Sequence, residues 1–276
     1  DVVKRPSAPE RFDVPSGLLY TLGFCAVMAG VTLAESGGGL ALSAIFAFAA
    51  GAAALAVFAR RQLRIENPLL KLACFRSRTF TVSTMLVLMA NMAFMAGSIM
   101  VPLFVQDVQG ASAAVSGLTI LPGAVLLGLL NPVTGRMLDR HGPRPLIAVG
   151  CTVLVTGTLA FCLLDADTPE WVVTVLYGVR TVGVACLMMP LTAHACTTLS
   201  TADIAQGTAI ITSLRQIFGS IASSALIAVM ASASGNALGI DAFGFGVSFA
   251  VQAALIAIGF VVGMVFLPRA ASASKG

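Results

Sequence analysis

Long apolar runs separated by short polar segments dominate this chain. Eight runs are long enough to cross the hydrocarbon layer of a bilayer, for which a helix needs about 20 apolar residues. They cover residues 15–34, 39–59, 79–104, 112–134, 145–164, 170–194, 206–230 and 244–267. Because the runs lack a period of two and are longer than barrel strands, β structure is a poor alternative. The pattern predicts an all-α integral membrane protein with eight transmembrane helices.

The composition agrees with a membrane protein. Of the 276 residues, 58% are hydrophobic and only 10% are charged, whereas a soluble domain carries about 25% charged residues. The net charge of +4 does not indicate nucleic-acid binding, because the basic residues lie between apolar runs rather than on one surface. The six cysteines form no CxxC pair and fall mostly within apolar runs. They are expected to be buried thiols, with neither a disulfide framework nor a metal site.

The positions of Lys and Arg predict the orientation. If the N-terminus is cytoplasmic, 14 of the 16 basic residues fall in cytoplasmic segments and the external loops contain none. Four aspartates fall on the external side, namely Asp107, Asp165, Asp167 and Asp241. This distribution follows the positive-inside rule. It predicts a multi-pass protein of the plasma or inner membrane with both termini in the cytoplasm.

The clearest motif lies between the fourth and fifth predicted spans, over residues 135–144. Its charged and glycine positions are Gly135, Arg136, Asp139, Arg140, Gly142 and Arg144. The glycines permit a tight turn, and Asp139 can pair with a neighbouring arginine or accept from a helix N-terminus. Such a charge cluster between two helix ends can act as a cytoplasmic latch that breaks when the helices move. The alternative is a stop-transfer loop with incidental charges.

This motif resembles the loop signature of the major facilitator superfamily, Gly-x-x-x-Asp-Arg-x-Gly-x-Arg. Three flanking stretches resemble the 14-helix drug/proton antiporter branch of that family; they lie at residues 67–80, 110–123 and 213–221. The resemblance implies a six-helix C-terminal transporter domain at 79–268, built as two inverted sets of three helices. It also implies an extra helix pair at 1–59, a cytoplasmic linker at 60–78 and a cytoplasmic tail at 269–276.

The resemblance further implies that six upstream helices complete the transporter. The chain begins Asp-Val-Val-Lys without an initiator Met, so we expect it to be the C-terminal part of a longer protein whose N-terminal six-helix half is its partner. Proton coupling is implied by the family alone, since its antiporter signature belongs to that upstream half. The linker's mixed apolar and basic residues favour an in-plane contact with anionic lipid or, equally, a solvated connector.

Candidate cavity residues lie on the third and sixth spans, which line the central cavity in this architecture. Asn91 lies about 18 Å into its span, and Met95 and other methionines share that helix with it. Flexible methionines suit a cavity that accepts varied ligands, although they also pack ordinarily against lipid or neighbouring helices. Tyr177 and Arg180 occupy the sixth span.

Two arginines within the spans are the remaining candidates. Arg180 is expected near the bilayer centre, where its cost of insertion requires it to face protein or water. Because no Asp or Glu lies deep in any span, its partner is expected in the upstream half. The alternatives are a structural pairing with backbone carbonyls and a direct role in binding substrate or responding to the coupling proton. Arg215 is expected nearer the inner surface, in a structural or gate-closing role or, less favoured, in contact with substrate.

These observations favour secondary active export of lipophilic small molecules, with no cofactor beyond a coupling proton. An exporter of one metabolite, siderophore or peptide remains open, as does a non-transporting membrane fragment. An integral-membrane enzyme would need converging His, Asp, Glu or Cys residues near an interface, and the sequence places none there.

Overall fold

The computed structural model describes residues 14–36, 42–62, 65, 72–197, 199–200, 203–234 and 241–266. These residues form eight α-helices and no strand, which confirms the predicted fold class. The helices are α1 (Val14–Ser36), α2 (Leu42–Gln62), α3 (Arg78–Leu103), α4 (Ala113–His141), α5 (Pro143–Ala160), α6 (Glu170–Cys196), α7 (Ile204–Ala233) and α8 (Ala242–Phe266).

Helix lengths and hydropathy fit a bilayer. Seven helices among the described residues, α2 to α8, are long and apolar enough to cross a membrane. The apolar part of α1, Pro15–Gly30, is shorter, although the whole helix has 23 residues. The predicted spans therefore correspond to helices throughout, with ends that differ by a few residues in most cases.

The chain divides into two compact units, residues 1–72 and 73–276. The first unit contains α1 and α2, which pack closely where Gly51 meets Val27. A Cβ atom at Gly51 would lie 2.8 Å from the backbone nitrogen of Val27, so only glycine permits this approach. Arg61 Nε donates to Ser16 Oγ at 3.0 Å, joining the ends of the two helices.

The second unit contains α3 to α8, and α3 contacts α4, α6, α7 and α8. Ser77 caps the start of α3, accepting from the backbone N–H of Phe80. Beyond Pro102 the helix widens into one π-helical turn, Phe104–Val108. Proline removes a backbone donor and disturbs regular α-helical bonding. Because the π-helical turn continues to Val108, the span extends beyond its predicted end at residue 104.

The largest difference from prediction is at the end of α4. The fourth span was expected to end at residue 134, but α4 continues to His141. Arg136, Asp139 and Arg140 of the motif thus lie on the last two turns of α4, and Arg144 lies on the first turn of α5, rather than in a loop. Charged side chains are compatible with helix wherever they can reach water, so their presence alone did not mark the helix end.

Other predicted segments are described only in part. Within the predicted linker, Leu72–Arg76 form a 3₁₀ turn, while residues 63–64 and 66–71 lie outside the described residues, as do both terminal tails. The cysteines are not uniformly buried as expected, because Cys25 is exposed. Its position on a regular helix does not by itself determine which face it occupies.

Candidate functional site

Arg180 lies at the centre of the six-helix unit, with 1% of its surface exposed. It projects from α6 and donates hydrogen bonds to three other helices. Its Nε bonds Thr158 Oγ1 of α5 at 3.2 Å. One terminal nitrogen, Nη2, donates to the backbone carbonyl of Ala93 on α3 and to Gln252 Oε1 of α8, the latter at 2.6 Å. One side chain therefore joins four helices.

Two glycines make room for this arginine. A Cβ at Gly97 of α3 would lie 1.8 Å from Arg180 Nη1, so the guanidinium occupies the space that a side chain would need. Gly157 of α5 lets the backbone of α6 approach, because a Cβ there would meet Arg180 Cα at 3.3 Å. The Phe249 ring lies 5.5 Å from the guanidinium carbon, within the range of a cation–π contact.

The prediction that the partner of Arg180 lies outside this chain is wrong. Its partners are neutral oxygens of Ala93, Thr158 and Gln252, all within the chain. A guanidinium has five N–H donors, so carbonyl and hydroxyl oxygens can satisfy it without a carboxylate. Because these bonds enclose the side chain among α3, α5 and α8, Arg180 holds helices together.

Tyr177, one helical turn before Arg180, packs against a different helix. It is 4% exposed and packs over Gly123 of α4, where a Cβ would lie 2.5 Å from the tyrosine ring. The structure thus does not bring Tyr177 into the hydrogen-bonding group of Arg180, and the ring instead brings α4 and α6 close together.

A second polar cluster joins α3 to α7 and brings together three of the predicted residues. Asn91 Nδ2 donates to the backbone carbonyl of Arg215 at 2.8 Å. In return, Arg215 Nε lies 3.4 Å from Asn91 Oδ1, to which it donates. Gly219 permits this contact, since a Cβ there would lie 2.4 Å from Asn91 Nδ2 and 3.2 Å from Met95 Cγ. Asn91, Met95 and Arg215 therefore form one site.

Arg215 and Asn91 lie at similar distances along their helices. The starts of α3 and α7 are adjacent, because a Cβ at Gly207 would approach the Phe80 ring at 3.4 Å. From those starts, Asn91 and Arg215 lie about 20 Å and 16 Å along their helices. Both residues thus lie well inside their helices, and the expected position of Arg215 nearer the inner surface stays a prediction.

An exposed polar stripe runs along α7 beside Arg215. Thr208, Thr212 and Gln216 follow at intervals of four residues, and all three are exposed. The Thr208 hydroxyl is satisfied within its own helix by the carbonyl of Ile204 at 2.9 Å, whereas the Gln216 amide would be costly against lipid. This stripe is not among the predicted site residues, although its i, i+4, i+8 spacing is visible in the sequence.

The charged motif lies at the end of the unit where α3 begins and α4 ends, which we call the basic end. Arg136, Asp139 and Arg140 are exposed there, and no ion pair of Asp139 occurs within the part of the chain that the structure describes. The expected pairing of Asp139 with Arg136 or Arg140 is therefore not present. Arg136 and Arg140 instead line a shallow surface cavity of about 260 Å³ with Val133, Met137 and His141.

Gly142 alone separates α4 from α5. Its backbone has φ 76° and ψ 178°, a region that is essentially restricted to glycine. Pro143 follows at the first position of α5, where its fixed φ favours the start of a helix. Gly135 differs, since it is helical and a Cβ there would have no neighbour within 4 Å. The predicted tight turn therefore depends on Gly142 and not on Gly135.

We expect Gly142→Ala to destabilise the protein by about 1–3 kcal/mol, because alanine is strained at this backbone conformation. Gly135→Ala is the matched control and should be neutral or stabilising by up to about 1 kcal/mol, since alanine favours helix over glycine. Thermal unfolding of both purified variants in detergent measures the difference. Equal melting temperatures would contradict the role of Gly142.

Comparison with known proteins agrees with this architecture. Residues 9–224 match the profile of the family described as Major Facilitator Superfamily. The chain is 33% identical over 229 residues to "Lincomycin resistance protein LmrB" of Listeria monocytogenes, covering 83% of this chain and 48% of that protein. It is 30% identical over 230 residues to "Multidrug resistance protein B homolog" of Mycobacterium tuberculosis, covering 82% of this chain and 42% of that protein.

The chain spans about half the length of the curated relatives it matches. Among solved structures, it is similar to the crystal structure of the nucleoside transporter NupG, with a TM-score of 0.55 and 17% identity. That match covers 87% of this chain and 64% of the other. At this identity the likeness concerns the fold alone.

Proposed function

The chain belongs to the major facilitator superfamily, a family of transporters rather than enzymes, and we propose that it forms one half of a proton-coupled exporter of lipophilic small molecules. In this proposal, six upstream helices supply the other half, and the two halves alternate access to a cavity between them. Relatives named for lincomycin and multidrug resistance support small-molecule export.

The observation that carries the proposal is the polar cluster on α3 and α7. Asn91 and Arg215 meet within the spans of α3 and α7, and the exposed stripe of α7 runs past Arg215. The Arg215 guanidinium and the exposed Gln216 amide would be costly to place against lipid, whereas a water-filled cavity accommodates them. We therefore assign this face to the transport cavity, with the half-buried Met95 and Arg215 on its wall and the buried Asn91 behind them, holding Arg215.

Arg180 has a different role in this proposal. Because it is enclosed by Ala93, Thr158 and Gln252, we assign it to maintaining the arrangement of α3, α5, α6 and α8. It acts on transport through the shape of the cavity and not through contact with substrate. Tyr177 is assigned to the packing of α4 against α6.

We propose that the basic end is cytoplasmic, in the plasma or inner membrane. The support is the distribution of charge, with arginines at 78, 136, 140 and 144 at one end and acidic residues at 107, 165, 167 and 170 at the other. In a cysteine-free background, cysteine introduced at Asp107 or Ala166 should react with an impermeant maleimide added to intact cells. Cysteine introduced at Arg140 should react only after permeabilisation, and labelling of Arg140→Cys in intact cells would reverse the orientation.

We propose that Asp139 makes a contact that forms and breaks during the transport cycle. It is exposed, and no partner for it occurs among the described residues, so we assign its partner to the upstream half in one conformation of the transporter. In the complete transporter, in which this chain follows six upstream helices, Asp139→Asn should reduce efflux of a fluorescent drug at least about tenfold, the effect of one lost charge-assisted contact. Its expression should not change.

Asp165→Asn is the matched control, because Asp165 is also exposed but lies at the opposite end of the unit. Cells that express the control should accumulate as little drug as cells with the unaltered transporter. Wild-type efflux in the Asp139 variant would show that Asp139 is an ordinary surface charge without a role in transport. Absence of efflux by the unaltered complete transporter would contradict the proposed function.

A further inference from the structure

The two arginines within the spans differ in how their donors are satisfied. Arg180 is 1% exposed and bonds three neutral acceptors. Arg215 is half-buried and uses its Nε to bond Asn91 Oδ1. Its two terminal nitrogens, Nη1 and Nη2, have no acceptor among the residues that the structure describes. Arg215 therefore offers both terminal nitrogens, whereas Arg180 directs its Nε and Nη2 to acceptors of the protein.

The cluster around Arg215 fixes the direction of those donors. Asn91 holds both the Nε group and the backbone carbonyl of Arg215, and its own position is fixed against Gly219. A guanidinium held at Nε presents Nη1 and Nη2 on its free side as a planar fork. Two parallel N–H donors in that geometry match the two oxygens of a carboxylate.

The surroundings of the fork are polar but contain no acid. Thr212 and Gln216 of the exposed stripe flank Arg215 along α7, and both can donate or accept hydrogen bonds. The acidic residues of α3 to α8 that the structure describes all lie near helix ends or in connections, at 107, 139, 165, 167, 170, 203 and 241. No carboxylate within the described six-helix unit thus lies at the depth of Arg215.

We propose that Arg215 determines substrate specificity by binding the carboxylate of the exported compound, so that lipophilic acids are preferred over lipophilic amines. This inference rests on the proposed export function and adds the chemical class of the substrate. Asn91 is the positioning residue, because it orients the guanidinium. The apolar surface beside the fork, including Met95, accommodates the rest of the compound.

Three pyrene probes that differ only in their polar group test the proposal. They are 1-pyrenebutyrate, 1-pyrenebutanol and 1-pyrenebutylamine, each loaded into cells that express the complete transporter. The acid should be exported at least about tenfold faster than the amine, because the amine's positive charge is repelled by the guanidinium while the carboxylate is bound. This comparison needs no variant and is therefore independent of folding effects.

Variants then assign the preference to Arg215. Arg215→Gln should lower acid export at least about tenfold, by raising KM, and leave export of the alcohol within about twofold. Arg215→Lys keeps the charge without the fork and should retain part of the preference. Asn91→Ala should reduce acid export by about three- to tenfold, because the guanidinium is no longer oriented. Arg76→Gln, which removes an exposed charge outside the spans, is the control and should export all probes normally.

The possible failures are distinguishable. Export of the amine at the rate of the acid would overturn this inference and leave the export function intact. An equal loss of all three probes in Arg215→Gln would also overturn it, because Arg215 would then be needed for transport irrespective of the polar group of the compound. If the unaltered transporter exported none of the probes, the proposed function would fail and this inference with it.

Discussion

Replacing Arg180 with glutamine should destabilise the six-helix unit by about 3 kcal/mol or more. The substitution removes the donors to Ala93, Thr158 and Gln252, each in a buried site. Hydrogen bonds to a charged group contribute about 1.5–3 kcal/mol each, and a buried acceptor left without a donor adds a further cost. We expect a lower melting temperature for the purified protein in detergent and a smaller yield of folded protein.

Arg180→Lys should destabilise the six-helix unit in the same way. A lysine carries the charge but lacks the planar fork, so a single ammonium group cannot reach acceptors on α3, α5 and α8 together. Arg76→Gln is the matched control, since that arginine is exposed, and it should change stability by no more than about 0.5 kcal/mol. Wild-type stability in both Arg180 variants would show that the bonds of this arginine do not hold the helices together.

Replacing Gly183 with leucine should have a comparable effect by a steric route. A Cβ at Gly183 of α6 would lie 2.7 Å from the backbone nitrogen of Leu154 and 2.9 Å from the carbonyl oxygen of Gly150, both on α5. Because backbone atoms cannot rotate away as a side chain can, α5 and α6 would have to separate. Overpacking of this kind costs about 3 kcal/mol, the upper part of its usual range, and occasionally more.

Gly128→Leu provides the control for that experiment. Gly128 is also a helical glycine, on α4, but a Cβ there would have no neighbour within 4 Å. Thermal unfolding of the two variants in the same detergent should show a large loss for Gly183→Leu and little change for Gly128→Leu. Equal losses would mean that leucine is harmful in these helices irrespective of packing.

Much of the fold could be predicted because the bilayer restricts spanning structure to a few forms. An apolar run such as 206–230 has to be a helix if it crosses the membrane. The residues at which helices end were harder to predict, because helix ends lie in water, where charged residues can continue a helix as readily as they form a loop. The residues from Gly135 to His141 were therefore expected in a loop and instead extend α4.

The contacts of the candidate site could not be predicted from local pattern. The need of Arg180 for partners followed from its depth, but the partners lie 22, 72 and 87 residues away in the sequence. In a sequence, neutral oxygens such as backbone carbonyls also do not stand out as partners of an arginine in the way that an acidic residue within a span would. Asn91 and Arg215 are separated by 124 residues, so their pairing depends on how α3 and α7 pack.

Transport in proteoliposomes tests the central claim most directly. The complete transporter containing this chain is reconstituted, a fluorescent lipophilic compound is added, and a proton gradient of known direction is imposed. We expect the compound to move against the direction of proton flow, and we expect transport to stop when an ionophore collapses the gradient. Transport that continues unchanged without the gradient, or no transport with it, would contradict proton-coupled export.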